Sequence, residues 1–333
     1  MALNDGFKYL RILTNLVLLI FIFIILSGSK YIPAGINLKT LYQLFTVFSD
    51  QKSQDIQTSQ ESSIYPLITN EFNISRNKRK IVVLLLLESL GVPSDPIHAD
   101  KIKKLYEKNL KDIIKSSNRK EIYFKSFPFQ HSPGGTLRME LLTLCNSYNY
   151  SDLNMYHKCI PNIIANSNLW FSSYYHSPGL DFYNRRKIFK DVGFDNLFSL
   201  REQSINDKNI VSQLKWCLTR NFCAPPDSHL YENILITLKA NSNPNLFLNV
   251  LTVDAHGPYR DINFFTNNNE FDIYLSMVEK SLSDATDFIK RLLFIKQSYE
   301  VSIFLVSDHP ALLSSSSHIK DSSSNYFYYL KAK

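Results

Sequence analysis

Polar residues able to bind metal stand directly after three apolar runs. Ile81 to Leu87 ends at Glu88-Ser89, Leu246 to Val253 ends at Asp254-Ala255-His256-Gly257, and Val301 to Val306 ends at Ser307-Asp308-His309. One such group after a strand ordinarily marks a turn or a helix cap. Three in agreement carry more, because carboxylates and imidazoles gathered at one edge form an oxygen and nitrogen ligand set for a divalent cation.

The runs that would position these groups show no alternation of apolar and polar residues. That is the pattern of strands buried on both faces, as in a parallel sheet. Helical patterns lie between them, at Ala99 to Lys115, Leu137 to Leu144 and Tyr274 to Leu293, and Asn325 to Leu330 is long enough for a last strand. The expected fold is α/β, with a mostly parallel central sheet sandwiched by helices. In such sheets ligands bind at the carboxyl ends of the strands.

The N-terminus sets the compartment. Ile12 to Ser29 is 18 residues without a charge, just enough to cross a bilayer core of roughly 30 Å. Lys8 and Arg11 precede it and favour an inside N-terminus. A cleaved signal peptide ending near Ser27-Gly28-Ser29 is the competing reading, and the length of the apolar run favours a retained anchor. The expected organisation is an anchor over 1–30, a juxtamembrane segment and linker over 31–79, and a catalytic domain over 80–333. Both readings export that domain, and four cysteines suit an oxidising compartment. Of the three possible pairings, the local one is expected, Cys145 with Cys159 and Cys217 with Cys223. The net charge of +7 comes from basic residues scattered along the chain, which reads as a solvated face rather than a nucleic-acid surface.

In order, these residues resemble the alkaline phosphatase/sulfatase superfamily, and within it the membrane-anchored lipoteichoic acid synthase and phosphoglycerol transferase type. The similarity runs from about Lys80 to about Leu330. It rests on Leu86-Leu87-Glu88-Ser89-Leu90-Gly91, on Gly134-Gly135-Thr136-Leu137-Arg138-Met139-Glu140, on His256-Gly257-Pro258-Tyr259 and on Ser307-Asp308-His309. The segment from Tyr175-His176 through Tyr183-Asn184-Arg185 to Gly193-Phe194-Asp195 points to the phosphoglycerol branch. Two positions depart from the pattern: Tyr183 stands where tryptophan is frequent, and Pro310 follows His309 where glycine is common.

The resemblance implies that Glu88, Thr136, Asp308 and His309 hold one divalent ion, Mn2+, Mg2+ or Zn2+, with Thr136 as nucleophile. A threonine hydroxyl needs such help to attack phosphorus at neutral pH. At the start of a helix, Thr136 also meets free N–H groups and the positive end of the dipole. His256 is the candidate acid for the leaving group, and Arg185, His176, Asn184 and Tyr183 are candidate substrate contacts. The implied reaction moves phosphoglycerol from an anionic or zwitterionic phospholipid to a surface glycan, at the outer, periplasmic face of a bacterial inner membrane. Phosphoethanolamine transfer, ester hydrolysis and a non-enzymatic scaffold are the alternatives. Sulfatase chemistry is disfavoured, since Ser132-Pro133-Gly134 carries its proline one place early for a formylglycine pentapeptide.

Overall fold

A computed structural model describes residues 64–73, 79–93, 95–117, 121–130, 135–147, 153–167, 169–203, 224–241, 243, 245–257, 270–311 and 324–333. The expected anchor, most of the linker and the pair Cys217 and Cys223 lie outside the described residues. Among the described residues no helix is long and apolar enough to cross a membrane.

The described residues fold into a seven-stranded sheet with helices on both faces. Its strands are β1 (Lys80–Leu87), β2 (Ile122–Gln130), β3 (Phe171–His176), β4 (Asn196–Ser199), β5 (Asn245–Leu251), β6 (Glu300–Ser307) and β7 (Ser324–Ala332), in spatial order β2-β7-β6-β1-β5-β3-β4. Five neighbouring strands, from β6 to β4, run parallel, whereas β7 is antiparallel to both β6 and β2. The mostly parallel α/β sandwich expected from the apolar runs is therefore present.

β1 lies at the centre and explains its own composition. Ile81, Val83, Leu85 and Leu87 enter one core, against α2 (Pro96–Ser116), α7 (Asp227–Ala240) and α8 (Glu270–Ile295). Val82, Leu84 and Leu86 enter the other, with α1 (Ile64–Asn70), α3 (Thr136–Cys145), α4 (Ile160–Ala165) and α5 (Arg185–Val192). Both faces are dry, so no polar period survives in the sequence. A short helix α6 (Leu200–Gln203) follows β4.

Local chemistry fixes the helix ends. The Asp95 carboxylate accepts the N–H groups of Ile97 and His98, and Pro96 takes the first helical position of α2, where no N–H is needed. α3 starts at Thr136 because Gly135 turns the chain with φ 83° and ψ 177°, a region open essentially to glycine. Its far end is tied to the residue before α4 by a disulfide between Cys145 and Cys159, the expected local pairing. Behind α1, Glu71 accepts the hydroxyls of Ser302 and Tyr329 and pairs with Lys80 and Lys331, so the entering chain is fastened to the sheet.

Candidate metal centre

Strand register assembles the centre. β1 and β6 pair in parallel with Leu87 opposite Ser307, so the next residues, Glu88 and Asp308, emerge side by side. Beyond the edge the two loops remain joined, by a bridge between Leu90 and Pro310 and by the Gly91 N–H donating to the His309 carbonyl at 2.8 Å. Pro310 fits because its carbonyl is the group in use: it lies 2.9 Å from His309 Nδ1. That contact leaves Nε2 of the ring for the site. Ser89 holds a left-handed φ of 59°, strain that persists only where neighbours impose it. Its N–H donates to Asp308 Oδ1 at 2.7 Å and its carbonyl accepts the Tyr274 hydroxyl at 2.8 Å.

From the other side of β1, β5 delivers Thr252, whose hydroxyl accepts the Glu88 N–H at 3.1 Å. The turn after it carries His256, with Nε2 4.0 Å from Glu88 Oε1 and Nδ1 2.6 Å from the Gly257 carbonyl. From above, α3 presents Thr136, which donates its hydroxyl to the Glu88 carboxylate at 3.0–3.1 Å and lies 3.5 Å from His309 Nε2.

The donor set fits a cation on geometry and on charge. His309 Nε2 is 3.0 Å from Glu88 Oε1 and 3.3 Å from Asp308 Oδ2, and one atom from each of the three lies within 4.8 Å of the others. Bonds of about 2.1 Å to a tetrahedral ion place its ligands roughly 3.4 Å apart, close to these separations. Two buried carboxylates so near each other cannot both stay ionised without a positive partner. Burial and the Glu88 charge push Asp308 up to about 8. Burial opposes the charged form of His309, but Asp308 and Glu88 raise it to about 10. Burial also works against Glu88, yet its contacts with His309 hold it at about 2. The trio therefore keeps protons where a divalent ion would put positive charge.

The predicted substrate contacts lie on the second-core side of the sheet. Arg185 is fully buried and paired: its Nε and Nη2 donate to Glu140 Oε2 at 3.1 and 2.9 Å, and Tyr174 donates to Glu140 Oε1 at 2.7 Å. Nη1 reaches only the Phe182 carbonyl, at 3.5 Å. His176 is buried at the end of β3, with Nδ1 3.5 Å from the Leu251 carbonyl and Nε2 without a hydrogen-bond partner. Burial and the neighbouring Arg185 charge lower its basicity well below the ordinary imidazole, so the ring is neutral. Tyr183 and Asn184 both take a left-handed φ of 55°; Tyr183 is 53% exposed, and its ring centre lies 5.4 Å from the Arg185 guanidinium carbon.

The structure thus brings Glu88, Thr136, Asp308, His309 and His256 together and sets Arg185, His176, Tyr183 and Asn184 in the layer beside them. The buried partners of Arg185 were not foreseen. One clue was available: Glu140 lies one helical turn after Thr136, directly before the apolar pair Leu141-Leu142 of α3.

No protein-family model matches the chain, and no curated protein matches it in sequence. Solved structures do match in fold. A protein in the alkaline phosphatase superfamily from Vibrio parahaemolyticus aligns with a TM-score of 0.54 at 16% identity, over 78% of this chain and 61% of that one. The phosphoglycerol transferase GacH of Streptococcus pyogenes, solved with sn-glycerol-1-phosphate, aligns with 0.51 at 17%, over 91% and 78%. The lipooligosaccharide phosphoethanolamine transferase EptA of Neisseria meningitidis aligns with 0.51 at 14%, over 88% and 54%. The chain shares its fold with these solved structures.

Proposed function

We propose that the chain is a metal-dependent phosphotransferase that moves phosphoglycerol from a membrane phospholipid to a cell-surface glycan, through a phospho-Thr136 intermediate. The observation that carries this reading is the seat of Thr136. Its hydroxyl stands 3.0–3.5 Å from the Glu88 and His309 donors at the first residue of a helix.

Glu88, Asp308, His309 and the Thr136 oxygen would hold one divalent ion. When bound, such an ion supplies a Lewis acid that stabilises the threonine alkoxide. The chain's own residues do the rest. Thr136 Oγ1 forms the new bond to phosphorus while the bond from phosphorus to the diacylglycerol oxygen breaks. The hydroxyl proton leaves along the hydrogen bond to Glu88, and His256 Nε2 gives the leaving oxygen its proton. The start of α3, with the positive end of its dipole, faces the phosphoryl oxygens, and Gly135 adds no side chain to that approach. Arg185 keeps a buried positive charge beside the centre. An acceptor oxygen then bonds to phosphorus as the Thr136 Oγ1–phosphorus bond breaks, His256 taking the acceptor's proton and Glu88 returning one to Thr136. The apolar stretch Ile12 to Ser29 would anchor the chain once in an inner membrane, with the catalytic domain over 80–333 on the periplasmic side.

Equal likeness in fold to a phosphoglycerol and a phosphoethanolamine transferase makes headgroup choice part of the test. The intact mass of the purified chain is measured after incubation with Mn2+ and either phosphatidylglycerol or phosphatidylethanolamine. A phosphoglycerol adduct that disappears in Thr136→Ala is expected. A phosphoethanolamine adduct alone reassigns the headgroup. If no adduct forms and no diacylglycerol is released with either lipid, the reading is overturned.

A further inference from the structure

α7 opens with an aspartate that does not serve its own helix. The helix follows Ala224-Pro225-Pro226, its N-cap is Pro226, and no side chain caps it. An acidic residue in a first turn ordinarily stays near solvent and complements the helix dipole. Asp227 is instead completely buried, and its carboxylate is taken up by two other loops. Both its oxygens accept the Val253 N–H, at 3.1 and 2.8 Å, Oδ2 accepts the Asp254 N–H at 2.7 Å, and Oδ1 accepts the Ser177 hydroxyl at 3.4 Å.

Those contacts fall beside the imidazoles of the site. Val253 and Asp254 begin the turn that ends on His256, whose N–H donates back to the Val253 carbonyl at 2.9 Å. Ser177 directly follows His176 at the end of β3. A second clamp grips the same turn from α8, where Lys280 donates to Asp254 Oδ2 at 2.7 Å and to Asp284 at 2.5 Å. Burying a carboxylate costs several kcal/mol unless hydrogen bonds and charge offset it. A serine or a neutral amide would cap a helix without that cost.

We propose that Asp227 is a positioning residue, one carboxylate that fixes the turn carrying His256 and fastens it to the loop carrying His176. The inference rests on the transfer reading in one respect, the role of His256 as acid. His256 Nε2 stands 4.0 Å from Glu88, and an acid displaced by about 1 Å loses on the order of 100-fold in rate. Asp227 acts only through the turn and touches neither ligand set nor substrate.

The test uses the full chain in detergent micelles with phosphatidylglycerol and Mn2+. Asp227→Asn keeps the shape but puts an N–H2 group where Oδ1 accepts the Val253 N–H and the Ser177 hydroxyl. It is expected to lower kcat by about 10- to 100-fold while KM and Mn2+ affinity stay within about threefold. In a His256→Ala background the same change is expected to cost less than about threefold, because coupled residues do not add. Equal losses in both backgrounds, or a matching loss of Mn2+ affinity, overturn the proposal. Should Asp227→Asn fail to fold, Ser177→Ala removes only the longest bond and is judged by the same two backgrounds.

An NMR readout separates this inference from the transfer reading. The His256 imidazole resonance, assigned by its disappearance in His256→Ala, is expected to shift or broaden in Asp227→Asn and Ser177→Ala, while His98 and His157 stay in place. If the unmodified chain releases no diacylglycerol, the transfer reading fails and the imidazole resonance alone decides. An unmoved His256 then overturns the positioning role.

Discussion

Metal ions and protons compete for the same lone pairs at this centre, so affinity must climb with pH. At pH 7 Glu88, at about 2, is already ionised, while Asp308, at about 8, and His309, at about 10, each keep a proton. Binding at the trio expels those protons. Each proton released contributes a factor of about ten in affinity per pH unit. The expected dependence is a rise with pH through the neutral range, of up to about 100-fold per unit while both protons are displaced and less once Asp308 has ionised. The sign follows because both groups bind protons more tightly in the fold than alone, and a cation must displace them. The assay is calorimetric titration of the chelator-stripped chain with Mn2+ from pH 6.5 to 8.5, in two buffers of different ionisation enthalpy, which counts protons directly. His309→Gln should lower the proton count at pH 7 by about one while weakening binding. An affinity that does not change between pH 6.5 and 7.5, with less than half a proton released, would refute the assignment of the trio as the metal ligands.

Three further outcomes follow from the packing. Glu140→Gln strips the countercharge from a fully buried Arg185 and should destabilise the fold by about 3–5 kcal/mol, read as a lower urea midpoint; a shift worth under 1 kcal/mol sinks the ion-pair argument. Replacing Cys145 and Cys159 by serine reopens a loop closed over a separation of 14 residues and should cost about 2–4 kcal/mol, with thermal unfolding of the unmodified chain falling to match on reduction. Gly193→Ala places a Cβ 2.2 Å from Asn162 Oδ1 at a φ of 97°, so a loss of at least 1–3 kcal/mol is expected, and unchanged stability would mean that α5 ends differently.

How much of this was legible in the sequence depended on where each residue finds its partners. β1, β5 and β6 stood out because each lies between two neighbouring strands and is buried on both faces, where few polar side chains are tolerated. β3 did not. Its Ser172 and Ser173 are as buried as its tyrosines, and Ser172 is satisfied by Asp195, 23 residues away, so no apolar run announces the strand. β2 pairs with β7 alone and carries Lys125 and Ser126 toward solvent, which removes the same cue. Arg185, in the sequence Arg185-Arg186-Lys187, has the look of a surface charge. Its burial depends on Glu140, 45 residues earlier on another helix, and no local pattern reveals such a pair.

The candidate site residues at the strand ends were legible for the opposite reason. Glu88, His256, Asp308 and His309 need no distant partner to be recognised, because each follows its strand within a few residues and the parallel register brings the strand ends level. That register is also what the site cannot tolerate losing. A one-residue slip between β1 and β6 turns every side chain of the slipped strand to the other face. It would part Glu88 from Asp308, unmake the bond from Ser89 N–H to Asp308 and release the strain now held at Ser89. Polar ties at the start of β1 oppose the slip: the Lys80 N–H donates to Asn245, and the Lys80 ammonium pairs with Glu71 and Glu300. The strands and the candidate metal ligands that follow them are therefore one device, in which the parallel register sets the spacing of the charges.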